Sequence, residues 1–129
     1  MFNNSDIAKL MLRLTLGVMV LFHGIEKIIN GISGVKYLTK SAGLPEFLAY
    51  GVYVGEVVMP ILIILGLYAR VASTFVAFTM FMAIFLAYGD SLFELNKHGA
   101  PAFELPFLYF VLSISLFLLG PGKYGVNAK

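Results

Sequence analysis

The sequence contains no cysteine. This absence excludes disulfide bonds, iron–sulfur ligation and any thiol or persulfide chemistry performed by this chain alone. Charge is also scarce, because Asp, Glu, Lys and Arg make up 12% of the 129 residues and the net charge is +2. Soluble domains carry about 25% charged residues. No basic stripe is present, so nucleic acid is not expected as a partner.

Apolar residues make up 60% of the chain, which is more than a small soluble domain can bury. Four apolar stretches are each long enough to cross a hydrocarbon core about 30 Å thick, which needs roughly 20 residues. They lack the alternation of strands, and an open sheet is unstable in lipid. The sequence therefore predicts an all-α fold, a polytopic membrane four-helix bundle that forms a single domain over 1–129, with spans at about 7–29, 45–67, 70–88 and 102–119.

The distribution of Lys and Arg suggests an orientation for this bundle. With four spans, both termini lie on the same side as Arg70, and that side carries five Lys and Arg residues against four on the other. The positive-inside rule then favours N-in/C-in. The segment 34–43 is too short to span and is predicted to form an interfacial helix. Gly51 and Gly55 form a GxxxG motif, for which packing within the chain is favoured over a homo-oligomer interface.

Ionisable residues inside the predicted spans are the candidate functional groups, because a charge at mid-bilayer costs about 2.5–3.5 kcal/mol. Glu56 lies near the middle of the second span. Pro60, four residues later, has no N–H and leaves the Glu56 carbonyl without its intrahelical partner. Two interpretations are open: Glu56 is a functional carboxyl group, or it forms a structural ion pair with Arg13.

The first span carries further candidates. Arg13, Gly17, Gly24 and Lys27 cluster on one helical face, and His23 lies close to Lys27 on the helical wheel. Lys27 lies near the end of the span, where an interfacial anchor is the favoured interpretation. Outside this span, Glu104 occupies the first turn of the fourth, where a carboxylate suits the helix dipole.

We expect a polar pocket that opens outward and narrows to Glu56. The candidate catalytic residues are Glu56, His23 and Arg13, and the candidate substrate-binding residues are Lys27, Glu104 and His98. The residues expected to gather at the outer end of the pocket are His23, Glu26, Lys27, Asp90, Glu94, His98 and Glu104.

A carboxylate–histidine metal site is a weaker hypothesis for the same residues. His23 and Glu26 are three residues apart, and Glu94 and His98 are four apart, as in metal-binding helical bundles. The nearby cations oppose a bound metal ion, and Glu26 points away from the Arg13 face. No metal is therefore predicted.

The order and spacing of several short motifs across residues 7–122 resemble the DoxX family. These motifs are Arg13…Gly17…His23-Gly24-x-x-Lys27, Gly43-Leu44-Pro45, Gly51…Gly55-Glu56, Leu65-Gly66-Leu67-x-x-Arg70 and Gly120-Pro121-Gly122. The resemblance implies a small four-helix protein of the cytoplasmic (inner) membrane. It also implies a redox-associated membrane subunit that faces quinone. By resemblance, the family's recurrent polar positions are Arg13, His23, Lys27, Glu56 and Arg70.

Three functions fit these observations. The first is a membrane subunit of a redox complex, in which a soluble or membrane oxidoreductase is the partner, because the chain has no cofactor-binding motif and no intrinsic cofactor is predicted. Quinone is the ligand considered for its polar pocket. The second is a non-enzymatic anchor or assembly subunit, with the buried charges as structural contacts. The third is a small transporter or proton-relay component, which a mid-bilayer Glu and a Pro-broken helix favour.

Overall fold

The computed structural model describes residues 4–89, 93–95 and 97–127, and this part of the chain is helical apart from loops and one isolated β-bridge between Leu95 and Pro101. The predicted all-α class is confirmed, and so is a short helix after the first span. The helices are α1 (Asn4–Asn30), α2 (Ser33–Ser41), α3 (Glu46–Leu65), α4 (Ala69–Tyr88) and α5 (Glu104–Leu119).

Three of these helices, α1, α3 and α4, are long and apolar enough to cross a membrane. Their bounds agree with the predicted spans to within three residues at each end. The fourth predicted span, 102–119, corresponds to α5, which has only 16 residues. At 1.5 Å per residue α5 is roughly 24 Å long, shorter than the hydrocarbon core.

The outside of the bundle is apolar. Large hydrophobic side chains such as Phe22, Phe78 and Leu118 are each more than 60% exposed. An exposed apolar surface of this extent marks a membrane or protein contact rather than a surface in water. Together with the long apolar helices, it indicates a multi-pass membrane protein.

Helices α1 and α3 pack antiparallel. Arg13, near the start of α1, contacts the carbonyl of Ile63 near the end of α3. Lys27, near the end of α1, contacts Glu56, which lies earlier in α3. Residue numbers therefore rise along one helix as they fall along the other.

Helices α4 and α5 pack in the same antiparallel manner. The rings of Phe81 and Phe110 lie 6.2 Å apart, and Gly120, just after α5, lies against the guanidinium of Arg70 at the start of α4. Helix α5 also runs antiparallel to α1, since His23 packs against Tyr109. The core between these helices consists of Leu16, Val20, Ile63, Ala72, Val76, Met80, Tyr109 and Leu116.

The two ends of the described chain lie together at one end of the bundle. The Lys123 amide donates to the Asp6 carboxylate over 3.2 Å. The amides of Val126 and Asn127 donate to the carbonyls of Leu65 and Gly66, in the turn between α3 and α4. Gly66 has a φ of +71°, which favours glycine at this turn. The C-terminal segment therefore ties the α3–α4 turn to the start of α1.

Two glycines of α1 allow the backbones of α1 and α3 to approach closely. A Cβ on Gly24 would overlap the carbonyl oxygen of Glu56, and a Cβ on Gly17 would lie 3.0 Å from the carbonyl oxygen of Pro60. The charged face of the first span therefore packs against α3 through its two glycines. Close Cα–H···O approach of this kind is common where helices pack through small residues.

We expect Gly24→Ala to destabilise the bundle by about 2 kcal/mol, because the added methyl group forces α1 and α3 apart. The measurement is the free energy of unfolding in detergent, by denaturant titration. Gly34→Ala is the matched control, since Gly34 lies on α2 and nothing lies within 4 Å of the position that a Cβ would occupy there. Equal stability of the two variants would contradict this packing.

Candidate functional site

Glu56 and Lys27 form a partly buried ion pair between α3 and α1. Lys27 Nζ lies 2.8 Å from Glu56 Oε2, and Glu56 as a whole is only 6% exposed. Burial in lipid is unfavourable for a lone carboxylate, and the ammonium group compensates its charge. The Lys27 side chain therefore points to Glu56 inside the bundle, which the interpretation as an interfacial anchor did not anticipate.

The backbone around Glu56 departs from the α-helix. Residues Val54–Val58 form a π turn, followed by Pro60. A π turn makes i→i+5 hydrogen bonds, and here the Met59 amide donates to the Val54 carbonyl. Pro60 provides no N–H for the Glu56 carbonyl. The same carbonyl lies against Gly24. The predicted break in the helix is therefore present as a π turn, at the level of the ion pair.

Arg13 lies near the other end of α1 and does not pair with Glu56. Its guanidinium donates to the carbonyls of Ile63 at 3.1 Å, Ile64 at 3.2 Å and Pro121 at 2.9 Å, and the residue is 2% exposed. Two of these carbonyls belong to the last turn of α3, where a cation complements the helix dipole. Of the two interpretations of Glu56, the one that pairs it with Arg13 is wrong, and Arg13 joins α1, α3 and the C-terminal segment.

A cavity of about 690 Å³ lies beside the ion pair. Its polar lining consists of His23, Lys27, Thr39, Glu56, Thr79, Tyr88 and Tyr109. Most of the remaining wall is apolar and comes from α2, α3, α4 and the start of α5. The cavity thus combines a lipid-like wall with groups that can donate, accept or exchange a proton.

His23 and Tyr109 pack together on this cavity. Their rings lie 5.6 Å apart in an edge-to-face arrangement. Tyr109 lies on α5, one turn after Pro106, and is 9% exposed. Tyr109 is not among the predicted site residues, because a tyrosine inside an apolar span was grouped with the apolar residues of that span. The feature that could have identified Tyr109 is its phenol hydroxyl inside a predicted span, where polar groups need partners.

The structure separates several predicted residues from the cavity. Glu104, His98 and Glu94 are exposed and do not line it, so the expectation that Glu104 and His98 join the polar pocket is wrong. Glu26 is also exposed and accepts a hydrogen bond from Asn30. Asp90 lies outside the described residues.

The charged and ionisable residues that were predicted as candidates therefore lie at two separate places in the bundle. His23, Lys27 and Glu56 come together at the cavity, whereas Arg13 and Arg70 lie at the end of the bundle that holds both ends of the described chain. Among residues 4–89, 93–95 and 97–127, no three His, Asp or Glu side chains lie close enough to hold a metal ion.

Sequence comparison with known proteins assigns this chain to a family. The sequence profile of the DoxX family matches residues 8–89. The chain belongs to the DoxX family. A DoxX relative, named "Putative oxidoreductase CatD" in Bacillus subtilis (strain 168), is 30% identical over 120 residues, which cover 93% of this chain and 84% of that protein. No solved structure matches the chain at a significant level. All the cavity-lining residues of α1, α2, α3 and α4 fall within the DoxX match, and those of α5 lie beyond it.

For this DoxX chain we expect Arg13→Met to lower the free energy of unfolding by about 3 kcal/mol, because it leaves three carbonyls without their donor. Arg70→Gln, which removes an exposed cation at the same end of the bundle, should change stability by less than about 1 kcal/mol. Unfolding titrations of both variants in detergent provide the measurement. A mild effect of Arg13→Met would argue against its role in joining the three segments.

The Lys27–Glu56 pair should show strong coupling in a double-mutant cycle. We expect Lys27→Met to destabilise by about 3 kcal/mol, since it leaves a buried carboxylate alone, and Glu56→Gln in the same chain to recover most of that loss. The exposed pair Lys40–Glu46, whose charged atoms are 3.3 Å apart, is the matched control, with coupling below about 1 kcal/mol. Comparable coupling for the two pairs would refute this assignment.

Proposed function

We propose that this protein is a subunit of a redox-linked complex in the cytoplasmic membrane, and that its cavity holds an apolar ligand of the quinone class. The observation that carries the proposal is the cavity of about 690 Å³, which places the Lys27–Glu56 pair and His23 within an apolar wall. Ligand sites typically measure about 300–1,000 Å³ and combine apolar walls with a few polar groups. The name of the Bacillus subtilis relative, an oxidoreductase, supports the redox association.

The lining of the cavity fits a quinone. Lys27, Tyr109 and His23 can donate hydrogen bonds to the carbonyl oxygens of the ring, and the apolar wall suits its prenyl chain. A bound quinone supplies the chemistry of taking up two electrons and two protons. Glu56 can exchange a proton, and Lys27 stabilises its charged form. Because the chain has no cysteine, an oxidoreductase partner performs any thiol chemistry.

We also infer that α5 is the fourth span and that both ends of the chain face the cytoplasm. The antiparallel contacts of α5 with α1 and α4 support the fourth crossing. The contact between Asp6 and Lys123 supports a common side for the ends of the described chain. The small excess of Lys and Arg on that side supports the orientation. Helix α5, at roughly 24 Å, requires local thinning of the bilayer or support from its neighbours.

We expect the protein, purified in mild detergent, to retain quinone in a molar amount comparable to the protein, together with an oxidoreductase partner. Gly51→Leu should reduce the bound quinone at least about tenfold, because Gly51 lines the cavity and has open space where a side chain would begin. The measurements are chromatography of the organic extract and mass spectrometry of co-purified proteins. Gly34→Leu, on the exposed side of α2, is the matched control and should retain quinone.

The alternatives predict different results in the same preparation. If the purified protein carries neither quinone nor an oxidoreductase partner, the proposal fails. A partner complex that turns over normally with Glu56→Gln would instead identify an anchor or assembly subunit. Glu26→Gln serves as the control for loss of a carboxylate, since Glu26 is exposed on α1.

A proton-relay or transport function is the second candidate. The observation that favours it is the carboxyl group of Glu56, which lines the cavity from a π turn just before Pro60. Carboxyl groups beside broken helices are typical of proton pathways. Proton flux into vesicles containing the protein, abolished by Glu56→Gln and preserved by Glu26→Gln, would favour this function over a quinone-binding subunit.

A further inference from the structure

Helix α2 forms one wall of the cavity. Its inner face contributes Val35, Leu38 and Thr39 to the lining, and Thr39 is only 3% exposed. On the outer face, Tyr37 is 71% exposed. Helix α2 is therefore not only an interfacial helix, since its apolar side covers the cavity.

Weak, exposed contacts hold the outer side of α2 against the start of α3. Lys36 Nζ lies 4.7 Å from the centre of the Tyr50 ring, and Lys40 pairs with Glu46 at 3.3 Å. A hydrogen bond to Tyr50 is the main cause that raises the pKa of Lys36 above its ordinary value. Exposed charge contacts of this kind are individually weak and are screened by salt.

Two glycines border α2 at positions suited to hinges. Gly31 has a φ of +81° and Gly43 a φ of +78°. Nothing lies within 4 Å of the position of a Cβ on either residue. Both positions therefore combine a backbone conformation that favours glycine with open space around it.

The helix seams at the level of Glu56 are closed. A Cβ on Gly55 would overlap the Thr79 hydroxyl, which closes the seam between α3 and α4. The contact of Gly24 with the Glu56 carbonyl closes the seam between α1 and α3. Passage directly from lipid to the ion pair through these two seams would require the helices to separate. Movement of α2 leaves these helix contacts intact, breaks its exposed charge contacts with the start of α3 and uncovers its apolar inner face.

We propose that α2 is a hinged cover of the cavity, and that the ligand reaches the Lys27–Glu56 pair beneath it from the membrane–water boundary. In the closed state, α2 shields the apolar wall from water. In the open state, rotation about Gly31 and Gly43 lifts Thr39 from the cavity. This inference concerns access to the cavity and holds for a quinone or for another amphiphile.

The absence of cysteine provides a direct test, because a single introduced thiol has no background. Thr39→Cys places the thiol on the inner face of α2. We expect a water-soluble maleimide to label it slowly, and we expect Lys40→Gln with Tyr50→Leu to raise the labelling rate about fivefold by removing both contacts. Lys123→Gln, which removes an exposed charge elsewhere, should leave the rate unchanged.

Two further thiols separate opening of α2 from general loosening. Ser73→Cys replaces another buried hydroxyl that bonds within its own helix, as that of Thr39 does, and it should stay unlabelled in every background. Ser41→Cys, on the exposed end of α2, should label rapidly in every background. The proposal is overturned if loss of the two contacts leaves the Thr39→Cys rate unchanged, or if Ser73→Cys becomes labelled in parallel.

Discussion

The close approach of α1 and α3 determines which polar groups of the bundle meet. Gly17 and Gly24 lack the Cβ that would collide with the backbone of α3. Their spacing brings Lys27 beside Glu56 and Arg13 beside the last carbonyls of α3. In lipid the hydrophobic effect does not drive helices together, so backbone contact and satisfied polar groups hold this interface. The site is therefore a product of helix packing rather than of loops.

The two buried cations, Arg13 and Lys27, are stabilised in different ways. This difference distinguishes a structural residue from a candidate functional residue. Arg13 keeps its charge at any physiological pH and is surrounded by carbonyls, which cannot exchange protons with it. Lys27 instead faces a carboxylate and lines a cavity. The hydrogen bonds of Arg13 thus hold the segments together at its end of the bundle. The end that holds Lys27 is the region suited to function.

The apolar pattern was sufficient to predict the helices, but not the depth at which charges meet. The lengths of α1, α3 and α4 follow from hydropathy, whereas α5 is shorter than the predicted fourth span, and Glu56 followed from the rarity of buried carboxylates. A helical wheel gives the direction of a side chain and not its height relative to a neighbouring helix. Arg13 and Lys27 share a face, so only the axial register, which the glycine contacts set, decides that Lys27 meets Glu56. The positions of Tyr109 and of the inner face of α2 at the cavity likewise depend on how the helices are aligned relative to one another.

The neutrality of the ion pair constrains what the cavity can hold. An anionic ligand would compete with Glu56 for Lys27, and a cationic ligand would compete with Lys27 for Glu56. In an apolar cavity either exchange leaves one buried charge without its partner, which is strongly unfavourable. A neutral headgroup with hydrogen-bond acceptors avoids this conflict, because Lys27, His23 and Tyr109 can donate to it while the pair stays intact. The charge balance at Glu56 therefore favours a neutral amphiphile over a lipid phosphate or an ammonium compound.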